Sequence, residues 1–252
     1  MYQVPTANRL LLSISSSARA RLAPHFERLV LERGQVIYEP ETPIAYAYFP
    51  ETALISVVAL TREGAEVEVS MTGREGVFGA ELTLGTDSIP MRAMCQGRGE
   101  ALRLPARVVL GDIDSGGELI PAMRAYTGVS MVEMAQSAAC NRLHTVDFRL
   151  ARWLLTVRDR LETDTLPITH EFMAVMLGVH RPRLTVAAGL LQAAGLIRYR
   201  RGRVSILDPI GLAEAACECY AIVKRAYDRF ERSRGVTSAS EPATTLMLAS
   251  EG

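Results

Sequence analysis

Residues 169–206 constrain the fold most strongly, because two helix signals, a glycine break and a hairpin follow one another there without interruption. Thr169 can cap a helix whose apolar residues repeat at helical spacing, and Gly178 ends it. Arg181-Pro182 can start a second helix, because a proline in the first turn loses no intrahelical hydrogen bond. The predicted buried stripe of this second helix consists of Leu184, Ala187, Ala188, Leu191 and Ala194.

The sequence that follows Gly195 predicts a hairpin, because apolar and polar residues alternate on both sides of Arg201-Gly202. Its predicted strands are residues 196–199 and 203–207, and arginines at its tip suit phosphate contacts. Beyond the hairpin, residues from about 211 to 230 predict a final helix. A helix pair with a short turn and a cationic hairpin is typical of a winged helix-turn-helix, whose second helix enters the DNA major groove. The predicted DNA-binding residues are Thr169, His180, Arg181, Arg183, Thr185, Arg200, Arg201 and Arg203.

Charge is distributed unevenly along a chain whose formal net charge is zero. Residues 1–146 hold 13 arginines and 16 acidic residues, a net charge of −3, whereas residues 167–206 hold 6 arginines and 1 acidic residue, a net charge of +5. The cation excess lies in the predicted DNA-binding segment, as a nucleic-acid partner requires. The one lysine, Lys224, follows no glycine-rich loop, which excludes a Walker-type nucleotide hydrolase. No Ser, His and Asp arrangement indicates nucleophilic catalysis, and no enzymatic activity is predicted.

The chain before this segment divides into short strands and then long helices. Residues 1–8 are interpreted as a mobile arm. Runs of alternating polarity over residues 29–104, for example residues 30–38, are separated by Gly, Pro and acidic residues and predict a small antiparallel roll. Residues 118–143 predict one long helix with a stripe that resembles a coiled-coil seam, and packing on its own domain alone is the alternative. This stripe consists of Ile120, Met123, Thr127, Ser130, Met134, Ser137 and Asn141.

Roll, short helix, long helix and winged helix-turn-helix, in this order, resemble the Crp/Fnr family of bacterial transcription regulators. The strongest local match is Thr-His-Glu-Phe-Met-Ala-Val-Met-Leu-Gly-Val-His-Arg, from Thr169 to Arg181. It is similar to the family's Thr-x-x-(Glu/Asp)-(Ile/Leu)-Ala-x-x-Leu-Gly-x-Ser-Arg, with the acid shifted to Glu171 and His180 in place of the small hydroxyl residue. In this resemblance Arg181 takes the first base-reading position, where an arginine can contact guanine.

The resemblance implies an α+β fold with four parts. These are an N-terminal antiparallel β-roll like the cyclic-nucleotide-binding jelly roll (residues 10–117), a dimerisation helix (118–146), a winged helix-turn-helix (147–213), and a C-terminal helix with a disordered tail (214–252). It further implies a homodimer on a palindromic site in double-stranded DNA, with RNA polymerase as a partner.

The candidate effector-binding residues, also carried by the resemblance, are Gly79, Glu81, Arg92 and Ala93. In cyclic-nucleotide-binding members a Gly-Glu pair meets the ribose, and an arginine followed by a small residue meets the cyclic phosphate. Here Ala80 follows Gly79, and a one-residue shift in an extended segment turns Glu81 to the opposite face. We therefore expect a degenerate cyclic-nucleotide pocket. Whether Arg92 meets a phosphate or neutralises an acid of the roll stays open.

The four cysteines, Cys95, Cys140, Cys217 and Cys219, are too few and too scattered for a disulfide framework, which favours a reducing compartment. No cysteine precedes Cys95, so the N-terminal iron–sulfur cluster of oxygen-sensing relatives is not expected. Cys217 and Cys219 are interpreted as small buried residues, and Cys140 as redox-sensitive if it is exposed. The four histidines show no ligand spacing, and neither a metal nor a cofactor is predicted. His170 is expected to be exposed in the first turn of its helix.

No apolar run approaches the length of a membrane span, and the protein is expected to be cytoplasmic. The function that this sequence favours is a homodimeric, sequence-specific DNA-binding transcription regulator. The alternative is a receptor for a cyclic nucleotide or another small molecule, whose basic module binds protein or RNA instead of duplex DNA.

Overall fold

The computed structural model describes residues 4–114 and 116–236. Two short helices, α1 (Arg9–Leu12) and α2 (Ser16–Leu22), precede an antiparallel roll. The strands of the roll are β1 (Glu27–Leu31), β2 (Val36–Tyr38), β3 (Tyr46–Pro50), β4 (Leu54–Leu60), β5 (Glu66–Thr72), β6 (Met91–Gly97) and β7 (Gly99–Pro105). They form two sheets, with strand orders β1-β7-β3 and β2-β6-β4-β5, and every pair is antiparallel. The α+β fold and the roll expected from the sequence are thus confirmed.

Three helices follow the roll, namely α3 (Ala106–Asp114), α4 (Leu119–Leu143) and α5 (Val146–Leu161). The chain leaves the helical conformation between α4 and α5, because His144 and Thr145 both have extended backbones. Trp153 of α5 is 2% exposed and is therefore a core residue, as its position in an apolar helix predicts. No helix of the described part of the chain is both long and apolar enough to cross a membrane.

The C-terminal region consists of a three-stranded sheet and four helices. Its elements are β8 (Thr165–Leu166), α6 (His170–Met176), α7 (Arg181–Ala193), β9 (Ile197–Arg200), β10 (Arg203–Ile206), α8 (Pro209–Glu214) and α9 (Glu218–Ser233). The strand order is β8-β10-β9, so β10 pairs on one edge with the predicted hairpin partner and on the other with β8, which the sequence analysis missed.

The roll and the C-terminal region share one apolar core. Leu54 and Val58 of β4 and Met71 of β5 belong to the same buried cluster as the apolar faces of α5, α6 and α7. Burial of each such side chain stabilises the fold by roughly 1.5–3 kcal/mol. The two regions are therefore packed together and not merely joined by a linker.

Three sequence-based boundaries are wrong. The alternating run over residues 30–38 is two strands, because Gly34 turns the chain with φ +78°. The helix expected from about residue 211 to 230 is two helices, since Cys217 is extended and starts α9. Residues 6 and 7 of the expected mobile arm are held by Glu51, which accepts hydrogen bonds from the Thr6 hydroxyl (2.6 Å) and the Ala7 N–H (2.5 Å). The disordered tail that the sequence predicts lies, beyond residue 236, outside the described residues.

Candidate nucleic-acid interface

The helix-turn-helix forms where the sequence predicts it, for local reasons. The Thr169 hydroxyl accepts a hydrogen bond from the Phe172 N–H at 3.2 Å and so caps α6. Gly178 takes φ +59°, and a Cβ at this position would lie 3.0 Å from Val67 on β5. Both the backbone conformation and the close approach to the roll therefore require glycine here.

Helix α7 buries one face and exposes the other. Leu184, Ala187, Ala188 and Leu191 are buried as predicted, whereas Ala194 is an exposed C-cap residue outside the stripe. The exposed residues in the first half of this helix and at its cap are His180, Arg181, Pro182, Arg183, Thr185 and Val186. These side chains stand at the N-terminal end of α7, the part that reaches base edges in helix-turn-helix proteins.

Two side chains of the predicted set have neighbours that limit their freedom. Arg181 Nε lies 3.5 Å from Glu171 Oε2, an ion pair in which both side chains are about two-thirds exposed. The Thr185 hydroxyl donates to the Arg181 carbonyl oxygen at 3.0 Å, one helical turn earlier. A surface pair of this kind contributes little free energy, so it leaves Arg181 available to an external partner.

The two strands of the wing place positively charged side chains opposite each other. Arg200 and Arg203 are directly opposite each other in the β9–β10 register, and both are exposed. Like charges directly opposite each other destabilise a sheet. Between them, Arg201 holds a left-handed backbone conformation with φ +49°, which is followed by Gly202 with φ +73°. Among the described residues, none of these three arginines has an ion-pair partner.

A contact that the sequence analysis missed joins the wing to both helices. The rings of His170 and Tyr199 stack with centroids 3.9 Å apart, and His170 Nδ1 lies 3.4 Å from the Thr185 hydroxyl. The Gln192 side-chain carbonyl accepts a hydrogen bond from the Tyr199 N–H at 2.8 Å. The prediction that His170 is exposed is wrong, since stacking buries it partly. Burial, and then the charge of Arg181, lowers the pKa of His170, which keeps its ring neutral near pH 7.

The four candidate effector residues do not form one pocket. Gly79 has φ +95° and precedes a 3₁₀ helix, Ala80–Leu84, so Glu81 lies in a helical turn and not in the expected extended segment. One oxygen of the Glu81 carboxylate is buried without a hydrogen-bond partner, and burial raises its pKa. Ala93 is fully buried in β6. A cavity of about 380 Å³ in the roll is lined mainly by aromatic and aliphatic side chains and by none of these four residues.

Arg92 is occupied by acids of the roll. Its guanidinium contacts Glu39 Oε2 through Nε at 3.0 Å and Glu66 Oε1 through Nη1 at 2.9 Å. Of the two roles that the sequence left open, the structure shows the neutralisation of acids. Two carboxylates on one guanidinium would repel a phosphate at the same place.

Comparison with known proteins agrees with this geometry. Residues 148–215 match the family model of the Crp-like helix-turn-helix domain. A solved structure of a Crp/Fnr-family transcriptional regulator from Eubacterium rectale is similar, with 18% identity, a TM-score of 0.65, and coverage of 82% of this chain and 96% of that chain. The structure of FixK2 from Bradyrhizobium japonicum is similar as well, with 15% identity, a TM-score of 0.67, and coverage of 76% of this chain and 98% of that chain. The c-di-GMP-responsive regulator CLP from Xanthomonas campestris has 16% identity, a TM-score of 0.62, and coverage of 76% of this chain and 99% of that chain. No curated protein sequence matches the chain.

The fold is therefore that of the Crp/Fnr transcription regulators, with a roll like the cyclic-nucleotide-binding domain. The segment 148–215 is a Crp-like helix-turn-helix domain, which confirms the resemblance found in the sequence.

Proposed function

We propose that this protein is a homodimeric, sequence-specific DNA-binding transcription regulator of the Crp/Fnr type that is not an enzyme. The arginine pair across the wing carries the proposal. Arg200 and Arg203 repel each other in the free protein, and a phosphate backbone would relieve that repulsion. Arg181, Arg183 and Thr185 would then read base edges from α7, with Thr169 and His180 near the backbone.

Dimerisation is proposed through α4, on a different face from the predicted seam. Met123 of that seam is fully buried within the protomer, and Ile120 and Ser137 are 4% and 7% exposed. The opposite face is open and apolar, with Met131 60% and Val132 40% exposed. The exposed stripe consists of Gly128, Met131, Val132, Ala135 and Ala138. Small residues at helical spacing allow two such helices to approach closely, and the resulting two-fold axis would suit a palindromic site.

The roll is proposed to have lost the cyclic-nucleotide contacts of its relatives. The pairing of Arg92 with Glu39 and Glu66, and the position of Glu81 in a buried turn, support this proposal. Thermal unfolding with cyclic AMP and with c-di-GMP tests it. A site that binds either ligand adds about 2.7 kcal/mol at a hundred times its dissociation constant, and such a shift would contradict the proposal.

DNA binding is tested by selecting bound fragments from random duplex DNA and then measuring affinity for the selected site. We expect it to bind at least ~10³-fold more tightly than random duplex, with a steep dependence on salt. The alternative, a receptor whose basic module binds RNA or protein, predicts equal affinity for single-stranded RNA and duplex. Equal affinity at every salt concentration would reject our proposal. RNA polymerase, a partner that the family resemblance implies, is best tested by transcription in vitro from a promoter with the selected site.

The dimer is tested with Met131→Glu, which places a charge in the proposed contact. Size measurement by light scattering should show a monomer, because burying an unpaired carboxylate is unfavourable. The matched control is Val30→Glu, an exposed apolar position (46%) on β1 of the roll, and it should stay dimeric. A wild-type monomer, or a dimer in both variants, would refute this interface.

A further inference from the structure

Four potential metal ligands that are far apart in the sequence meet at the junction of α4 and α9. Cys140 and His144 lie at the C-terminal end of α4, and Cys217 and Cys219 lie at the N-terminal end of α9. Their ligand atoms all lie within 4.8 Å of one another. Cys140 Sγ and Cys217 Sγ are 3.5 Å apart, and Cys219 Sγ and His144 Nδ1 are also 3.5 Å apart.

These distances fit one four-coordinate ion. A tetrahedron with metal–sulfur bonds of about 2.3 Å has edges of about 3.8 Å, inside the observed spread. Three thiolates and one imidazole are a common ligand set of structural zinc sites. We propose that Cys140, His144, Cys217 and Cys219 bind one Zn²⁺ ion. Because the protein supplies all four ligands, no position is left for a substrate, and the ion would be structural.

The surroundings of the four side chains support a ligand role. Glu218 Oε2 lies 3.4 Å from His144 Nε2, the arrangement in which a carboxylate orients a metal-bound imidazole. With Nε2 facing Glu218, the other ring nitrogen of His144, Nδ1, faces the cysteines. The Gln136 side-chain nitrogen donates a hydrogen bond to Cys219 Sγ at 3.1 Å, as an outer partner of a thiolate would.

Two buried arginines supply a further reason. Arg149 and Arg152 are each 7% exposed, and neither has a carboxylate partner among the described residues. Both lie near Cys140, so a thiolate at that position would interact favourably with them. Burying an unpaired charge is costly. Three thiolates and Zn²⁺ carry a net charge of −1, so the metal site would partly compensate these cations, which three neutral thiols would not.

The site has a defined mechanical consequence. His144 ends α4, and Thr145 begins the turn into α5, the first helix of the C-terminal region. An ion held between α4 and α9 would therefore fix the long helix immediately before this turn. Metal removal should loosen the junction and lower the unfolding temperature, because binding to the folded state stabilises it.

Metal content is the direct test. The full chain, purified under reducing conditions without chelators, should contain about one zinc ion per chain by elemental analysis. After chelation and refilling with Co²⁺, it should show the intense visible bands of tetrahedral cobalt and a thiolate charge-transfer band. Cys219→Ser and His144→Ala should lose the zinc and the cobalt spectrum. The matched control is Cys95→Ser, a buried cysteine in the roll outside the cluster, which should keep both.

Glu218→Gln keeps all four ligands and therefore protects the test against misfolded variants. It should keep the cobalt spectrum and bind zinc about 10- to 100-fold more weakly, as loss of an outer partner predicts. Folded wild-type protein with negligible zinc and no cobalt spectrum would overturn the proposal. A Cys140–Cys217 disulfide in protein alkylated at lysis would do so as well. Since zinc content is measured without DNA, this result is independent of whether the protein binds a duplex.

Discussion

Arginines of the roll and arginines of the wing are the same residue type in opposite electrostatic situations. On the roll, surface arginines pair with acids on neighbouring strands, as in Arg103–Glu27 (2.6 Å) and Arg28–Glu100 (3.0 Å). On the wing, Arg200 and Arg203 face each other, and no described acid neutralises them. Surface pairs contribute little stability, so the roll pairs mainly cancel charge. The difference supports the proposed function, because arginines that no acid of the described chain balances are available to an external polyanion.

A buried arginine is the third electrostatic situation, and its removal has the largest predicted effect on stability. Arg160 is almost fully buried between α4, α5 and the roll, with Glu75 at 3.0 Å and Glu133 at 2.8 Å. Arg160→Met would leave two buried carboxylates unpaired and should lower the free energy of unfolding by roughly 3–5 kcal/mol. Urea denaturation measures this change in the free energy of unfolding. The control, Arg98→Met, removes an exposed pair on the roll and should change nothing measurable. Equal losses in the two variants would mean that burial does not distinguish these pairs.

The second prediction concerns pH at the contact between roll and C-terminal region. Glu68 of β5 accepts hydrogen bonds from Trp153 Nε1 (2.7 Å) and the Ser56 hydroxyl (2.6 Å). Burial raises the pKa of Glu68 from 4.5 to about 7. The folded state thus holds this proton more tightly, so the stabilising contribution is present below about pH 4.5 and is lost as the pH rises through about 7.

Glu68→Gln, a neutral mimic of the protonated acid, should therefore remove much of this pH dependence. At pH 8 we expect it to stabilise the protein by on the order of 2 kcal/mol. Thermal unfolding between pH 5 and pH 8 checks the result, with the exposed Glu63→Gln as the control. A destabilised variant with an unchanged pH profile would show that Glu68 is ionised throughout.

The third prediction compares one arginine from each region in DNA binding. Arg181→Ala should weaken binding to the selected duplex by roughly 1–3 kcal/mol, or about 5- to 150-fold, and relax preference at one base pair. Arg92→Ala removes an arginine that the roll already neutralises and should leave affinity unchanged. Competition against single-base variants of the site provides the readout. A loss that is uniform across all sequences would assign Arg181 to the phosphates instead.

The smallest effect is expected at the tip of the wing. Arg201→Asn removes one charge from a residue with φ +49°, a conformation that asparagine tolerates better. Affinity should fall alike for all duplexes, the salt dependence should lose about one ion per protomer, and stability should rise by up to about 1 kcal/mol. Arg98→Asn on the roll should leave the salt dependence unaltered. An altered base preference in Arg201→Asn would place the wing tip in a groove.

Local signals account for what the sequence predicted well. A capping threonine at residue 169, a glycine at 178 and a proline at 182 act on their immediate neighbours, so the helix-turn-helix follows from them. Long-range contacts account for the failures. The stacking of His170 on Tyr199 joins residues 29 positions apart, and nothing in either local pattern indicates it.

The long helix shows the same limit. Periodicity correctly predicted a helix, but α4 has apolar residues on two faces, and a periodic pattern cannot say which face packs inside the protomer. The roll and α9 cover Met123, which belongs to the predicted seam, and leave Met131 exposed on the other face of the helix.

By itself the sequence determined the order of the main parts, the roll, the long helix and the helix-turn-helix, and the place of the excess positive charge, because propensities, caps and alternation act over a few residues. Only the tertiary structure decided which arginines are neutralised, which face of α4 is free, and that Cys140 and His144 meet Cys217 and Cys219. Those outcomes depend on packing between elements that are distant in the chain, and that packing leaves no mark in local spacing.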